Sequence, residues 1–293
     1  MTLKIAFLIS GYARNYIYTT FSFKKHIFDR CKNADIFISF KENSRDSYSK
    51  EETDKIIKEY HIPLEDRIKD STYLNIMFGE KLKYFGYDDE TYIEKLKNDK
   101  LNNIDNLIKD KISLSVIDQY ARVKNIAEIF ENYTIQNNVD YDIVIRLRLD
   151  KLWWVTNIDI ERFIIDKNKL YLSYIDWKIS KYNNLPNWIQ DFFFMGEKNL
   201  MLFIMKDFLN NLYNSVNFLN EHELNYAPEI QFGNYINSNT YLIDKIIPST
   251  IRFNLNALHV KRPLYLNGYF VGRDKDVYDN LNKFLTLKKK YNI

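Results

Sequence analysis

The chain has 293 residues, and with hydrophobic residues at 46% it has the means to bury a core of domain size. Its 42 Lys and Arg nearly balance 39 Asp and Glu, and the two signs are interleaved, which excludes the basic footprint of a nucleic-acid-binding protein. A single cysteine, Cys31, excludes a disulfide framework and any cysteine-based zinc site, and a reducing, cytoplasmic compartment is the expectation.

The first apolar run, Ile5 to Ser10, is too short to span a membrane and has no cleavage region after it, so it reads as a buried opening strand. A turn over Gly11 to Asn15 and a helix within Tyr18 to Cys31 lead to a second strand, Ala34 to Phe40, which makes a βαβ opening. From 41 to 111 the composition turns to Lys, Glu, Asp and Tyr with broken periodicity, which predicts a charged, mostly helical insertion. Val116, Tyr120, Val123, Ala127 and Phe130 recur at alternating steps of four and three, which predicts one long helix over Ser113 to Asn137.

Next comes the strand Tyr141 to Asp150, followed by strands at Leu170 to Ile175 and Phe192 to Met195, the latter entered through Asp191. A helix with Met201, Met205, Phe208, Leu212, Val216 and Leu219 on one side and a short helix at Pro228 to Ile236 follow. Strands at Tyr241 to Ile247 and Leu264 to Val271 and a basic amphipathic helix from Val277 to Lys290 complete the chain. Lys288, Lys289, Lys290 and Tyr291 suit either a weak peripheral contact with an anionic membrane or ordinary C-terminal helix charge. No Gly, Pro or Ser-rich linker divides the chain, so residues 1–293 are expected to form a single α/β domain.

The strand from Tyr141 to Asp150 carries the strongest functional signal. Side chains alternate across a strand, so Ile143, Ile145, Leu147 and Leu149 share one face while Val144, Arg146, Arg148 and Asp150 share the other. Burying two guanidinium groups and a carboxylate costs several kcal/mol per unpaired ion, so that face calls for an anionic ligand, a metal or an internal Arg–Asp pair. An internal pair leaves the second arginine unexplained, which favours the ligand. The near-continuous apolar face opposite predicts a central, parallel position in the sheet. Ligands of open α/β sheets gather at the carboxyl ends of the strands, where Asp150 falls. Gly11 and Arg14, just after the first strand, would open onto the same crevice, with glycine admitting a close backbone approach and arginine gripping a phosphate. Arg122 and Gln119 lie beside the buried seam of the long helix, where they either reach the ligand or stay solvated, and contact is expected for Arg122.

The sequence has no Walker loop, no G-x-G-x-x-G, no H-E-x-x-H and no G-x-S-x-G, which removes ATPase, dinucleotide oxidoreductase, zincin and serine hydrolase readings. Gly11-Tyr12-Ala13-Arg14, Ala34-Asp35-Ile36-Phe37-Ile38, the arginine strand from Tyr141 to Asp150, and Asp191-Phe192-Phe193-Phe194-Met195-Gly196 resemble, in that order, GT-A-fold glycosyltransferases of large DNA viruses and bacterial polysaccharide clusters. The resemblance implies a Rossmann-like, mixed but mostly parallel sheet flanked by helices. It also implies a nucleotide-sugar donor, a glycan or other hydroxyl acceptor, and a divalent metal, manganese above all, held by an Asp-x-Asp motif. Here that motif falls on Arg148-Leu149-Asp150, so arginine replaces its first aspartate: either Asp150 is the lone protein carboxylate on manganese, or Arg146 and Arg148 neutralise the diphosphate without a metal.

By the same resemblance His259 is a second metal-ligand candidate, and the segment with Trp188 and Asp191 lines the donor-sugar and acceptor region. Trp153 and Trp154, next to Asp150, offer aromatic faces for a sugar or base. Glycosyl transfer requires a stabilised leaving diphosphate and a base near the acceptor hydroxyl, with Asp191 as first candidate and Glu229 as second. A sugar-phosphate nucleotidyltransferase is disfavoured because its first loop would continue into Arg, Pro and Lys, whereas Asn15, Tyr16 and Ile17 follow here. A non-catalytic nucleotide- or glycan-binding relative is the alternative of a different class.

Overall fold

The opening strand pairs in parallel with both of its neighbours, and the rest of the sheet is arranged around that fact. The computed structural model describes residues 3–12, 16, 20, 23–25, 27–41, 70–106, 109, 112–149, 151–154, 170–172, 193–213, 228–238 and 256–259, with backbone alone at 70, 151–154, 172, 229, 234, 237–238 and 256–259. In chain order the elements are β1 (Ile5–Tyr12), β2 (Ala34–Lys41), α1 (Asp70–Phe78), β3 (Leu82–Tyr87), α2 (Glu90–Asn102), α3 (Leu114–Gln136) and β4 (Ile143–Leu147). They continue with β5 (Lys151–Trp154), β6 (Tyr171–Leu172), β7 (Phe193–Glu197), α4 (Lys198–Asn211), α5 (Pro228–Ser238) and β8 (Asn256–His259).

The main sheet has the order β3-β2-β1-β4-β7-β6. β3 to β4 run parallel, whereas β7 is antiparallel to β4 and to β6. The expected α/β architecture, a mixed and mostly parallel sheet flanked by helices, is therefore the architecture found. β4 is central as expected, but one of its two partners is antiparallel. The sequence order reverses between β1 and β4, which makes the gap above these two strands a topological switch point.

Alternation along the strands sorts the core into two layers. Ile5, Phe7 and Ile9 of β1, Ile36 and Ile38 of β2, and Ile143, Ile145, Leu147 and Leu149 pack on one side with Phe23, Phe28, Tyr73 and Leu74. Ala6, Leu8, Phe37, Val144 and Phe194 pack on the other, beneath α2, α3, α4 and α5. The predicted seam of the long helix, Val116, Tyr120, Val123, Ala127 and Phe130, lies entirely in this second layer. Caps define two of the helices that cover it. The Asp89 carboxylate accepts from the backbone N–H of Thr91 and Tyr92 at the start of α2, and that of Glu197 accepts from Asn199 and Leu200 at the start of α4.

The described part of the 41–111 segment is mostly helical, in α1 and α2, and it also contributes the strand β3. It joins the domain closely, because β3 forms an edge of the main sheet and α2 packs beside α3. The signal was weak because β3 is a half-buried edge strand, Leu82-Lys83-Tyr84-Phe85-Gly86-Tyr87, with no strict alternation of apolar residues. β5 and β8, which lie outside the expected strands, form a separate antiparallel pair. The strands expected at Tyr241 to Ile247 and Leu264 to Val271 and the helix at Val277 to Lys290 lie outside the described residues. Among the described residues no helix is long and apolar enough to cross a membrane.

Phe37 is fully buried and meets the rings of Phe130 and Tyr133 edge-on, each with centroids 5.0 Å apart, so it ties β2 to α3. Phe37→Ala is expected to lower unfolding stability by about 3–5 kcal/mol in a urea titration, since the packed rings leave little room for collapse into the cavity.

Candidate functional site

The interface between the sheet and α3 changes character along the strands. Toward their amino ends it is mostly apolar, with Ala6, Leu8, Phe37 and Val144 beside one buried carboxylate, Asp35, which accepts from the Tyr141 hydroxyl. Two residues further along the same faces stand Ser10 and Tyr12 on β1, Ser39 and Lys41 on β2, and Arg146 on β4, with Arg148 just beyond its end. This polar end lies at the carboxyl side of the β1/β4 switch point. A small open cleft occurs there, lined by Ser10, Gly11, Tyr12, Phe40, Gln119, Arg146, Arg148 and Leu149.

Gly11 has φ of +118°, a backbone conformation that favours glycine, and the space where a Cβ would project is open. Among the described residues no side chain therefore covers the backbone of β1 at this point of the cleft. Ser10 Oγ is buried and makes no hydrogen bond among the described residues. Arg146 is fully buried, with its guanidinium carbon 5.7 Å from the ring centroid of Phe194, its ladder partner on β7. Arg148 is partly exposed and donates from Nη1 to Gln119 Oε1 at 3.3 Å. Gly11, Arg146 and Arg148, three residues expected to meet a diphosphate, thus share one cleft.

Arg122 does not join them. Its Nε donates to Asp118 Oδ2 at 3.0 Å, its Nη1 to Asp88 Oδ2 at 2.6 Å and Glu90 Oε1 at 2.9 Å, and its Nη2 to Glu90 Oε2 at 2.9 Å and Asp118 Oδ1 at 3.0 Å. A guanidinium has five N–H donors, and all are engaged. The expected contact between Arg122 and a ligand is therefore corrected: the side chain is fully buried and saturated by carboxylates. Burial by itself would lower its pKa, but the hydrogen bonds it donates to Glu90, Asp118 and Asp88 hold it above the ordinary arginine value. Burial likewise pushes the Asp118 carboxyl up, and the bond from Arg122 with the nearby charges of Arg122, Lys41 and Lys97 outweighs it, leaving Asp118 below the usual carboxylate value.

Sequence reasoning missed Asp88 and Glu90 because they follow β3 in the segment read as an insertion. The available signal was the acidic run Asp88-Asp89-Glu90 just before a periodic segment, an N-terminal helix signature. The cluster reaches the cleft through Asp118, whose Oδ2 accepts from the Tyr12 hydroxyl at 3.2 Å. The Lys41 ammonium covers the Tyr12 ring at 5.4 Å from its centroid and lies 3.8 Å from Asp118.

Arg14, Asp150, Trp188 and Asp191 lie outside the described residues. Trp153, Trp154, Glu229 and His259 are described by backbone alone. Trp153 and Trp154 belong to β5, Glu229 to the first turn of α5, and His259 ends β8, where its ladder partner is Lys151, the residue after Asp150 in sequence. The α5 helix is anchored near Arg146, because Phe232 packs against Phe194 with centroids 5.0 Å apart. Among the described residues no group of three or more His, Cys, Asp or Glu is arranged to hold a metal ion.

No family model matches the chain, and no curated protein matches it. Among solved structures it is similar to the apo form of the glycosyltransferase GlyE of Streptococcus pneumoniae TIGR4, with a TM-score of 0.40 and 11% identity over 99% of this chain and 64% of that one. A second structure of GlyE gives a TM-score of 0.38 and 12% identity, covering 99% of this chain and 65% of that one. The chain thus spans slightly less than two thirds of those chains. What the cleft can do rests on its own residues.

Two outcomes are expected of the Arg122 cluster. Arg122→Ala strands Asp88 and Asp118 as buried charges, and chemical denaturation is expected to show a loss of about 3–5 kcal/mol. Asp118, with its folded pKa depressed, contributes stability that is present above the unfolded value of about 3.9 and is lost as pH falls through the folded value. Stability measured from pH 5 downward should therefore fall less steeply in Asp118→Asn than in the unsubstituted protein.

Proposed function

We propose that the chain is a GT-A-type glycosyltransferase that moves a sugar, with inversion, from a nucleotide-diphosphate donor to a hydroxyl of a glycan or other acceptor. The observation that carries this reading is the convergence of Arg146, Arg148 and the open backbone at Gly11 in one cleft at the β1/β4 switch point. Two guanidinium groups at the carboxyl end of a central strand suit a diphosphate, which accepts from arginine in a bidentate fashion. The buried Ser10 hydroxyl is a further donor for the same anion.

In this reading the arginines offset the negative charge that grows on the leaving diphosphate as the glycosidic bond to the donor breaks. A carboxylate takes the proton of the attacking hydroxyl, for which Asp191 and Glu229 are the candidates. Glu229 gains support from its position on a helix packed against the aromatic neighbour of Arg146. Trp153, Trp154 and Trp188 are proposed as sugar or acceptor contacts and Arg14 as a further phosphate ligand.

Asp150 and His259 would hold a divalent metal. One carboxylate and one imidazole are a donor set suited to manganese, and the β5/β8 register pairs His259 with the residue that follows Asp150. Such an ion would supply additional charge on the diphosphate. A non-catalytic nucleotide-binding relative is the second reading, and the arginine at the first position of Arg148-Leu149-Asp150 favours it.

Incubation with UDP-, GDP-, dTDP- and CMP-sugars, with manganese or with EDTA, tests both. The expected result is nucleotide release from one donor, lowered about 100-fold in kcat/KM by Arg148→Met, in line with removal of one transition-state charge contact. Release that persists in EDTA would remove the metal from the proposal. Binding of a nucleotide with no turnover of any donor in the presence of glycan acceptors would favour the binding protein.

A further inference from the structure

The arginines at and beside the cleft are not all held in the same way. Arg122 is saturated by three carboxylates, whereas Arg148 donates to a neutral amide, that of Gln119. Gln119 adjoins Asp118 on α3, and Asp118 is clamped by Arg122 one turn along the same helix. The backbone that carries Gln119 is therefore fixed against α2 by a buried ionic cluster. A neutral acceptor at this place orients a guanidinium without subtracting from its charge, which a glutamate would do.

We propose that Gln119 is a positioning residue for the anion cleft, turning the Arg148 guanidinium toward a bound diphosphate and holding it there before the ligand arrives. The proposal rests on the reading of the cleft as a diphosphate site. Arginine carries large rotamer freedom, so an orientation fixed in advance spares the ligand an ordering cost. Asp118, next to it, accepts from the Tyr12 hydroxyl, so two adjacent residues of α3 each bond a residue that lines the cleft. Gln119 itself is only half-buried, so removal of its amide is compatible with an intact fold.

The test is calorimetric titration of inorganic pyrophosphate, and in parallel UDP and GDP, into the full chain and into Gln119→Met, Arg148→Lys and the double variant. Gln119→Met is expected to weaken pyrophosphate binding about five-fold with an unchanged melting temperature, the scale of ordering one long side chain. In the Arg148→Lys background, where charge is kept but the planar fork is gone, the same substitution should have no further effect. An equal five-fold loss in both backgrounds would show that Gln119 does not act through Arg148 and would overturn the proposal. Unaltered affinity in Gln119→Met would overturn it as well, while leaving the diphosphate reading in place. Absence of pyrophosphate and nucleotide binding by the unsubstituted chain would instead overturn the diphosphate reading, and the proposal with it.

Discussion

Neutralising Arg122 is the constraint on which the carboxyl end of the sheet depends. A fully buried guanidinium is tolerable only when its donors and its charge are both satisfied, and here the partners come from two places: Asp118 from the same helix, Asp88 and Glu90 from the junction of β3 and α2. The Asp88 carboxylate also accepts from Ser39 Oγ on β2 and from Asn125 Nδ2 on α3. One cluster therefore holds the edge strand, the helix after it, the neighbouring strand and the long helix in a single arrangement. Buried ion networks of this kind act more through geometric specification than through net stabilisation, because desolvation offsets much of the attraction.

This arrangement explains how a sheet with an otherwise apolar interior opens into a polar cleft. The same strand faces that bury Leu8, Phe37 and Val144 under the middle of α3 present Tyr12, Lys41, Arg146 and Arg148 near its first turns. The helix runs back from the cleft toward the start of β4, so its apolar half covers the core and its polar half, with Asp118, Gln119 and Arg122, meets the polar strand ends. Arg146 is accommodated at full burial beside the face of Phe194, whose ring is in turn backed by Phe232 and, beyond it, Phe208. Aromatic residues make up 16% of the sequence, and part of that content is structural: Phe37, Phe130, Phe194, Phe208 and Phe232 are core rings.

Gly11 connects the fold to the chemistry. Its φ of +118° is compatible with glycine and costly for other residues, and among the described residues no atom occupies the space where a Cβ would project. Gly11 itself therefore puts no side chain between the first strand and an anion held by the arginine strand. An open backbone, a buried hydroxyl at Ser10 and two guanidinium groups together make a site in which charge and access favour a phosphate-bearing ligand over a neutral one.

Period-two and period-3.6 patterns determined much of this protein from its sequence. Strict alternation in Ile143 to Leu149 and the three-and-four spacing from Val116 to Phe130 are local properties of the chain, and both layers of the core follow from them. The grouping of Gly11, Arg146 and Arg148 was legible for the same reason, since parallel strands bring their carboxyl ends to one edge. The partners of Arg122 were not legible. A buried ion pair joins residues 34 positions apart, and the same arginine on the helix surface would look identical in sequence. β3, β5 and β8 are short or half-buried strands whose identity comes from pairing with a distant partner, so only the tertiary structure decided them.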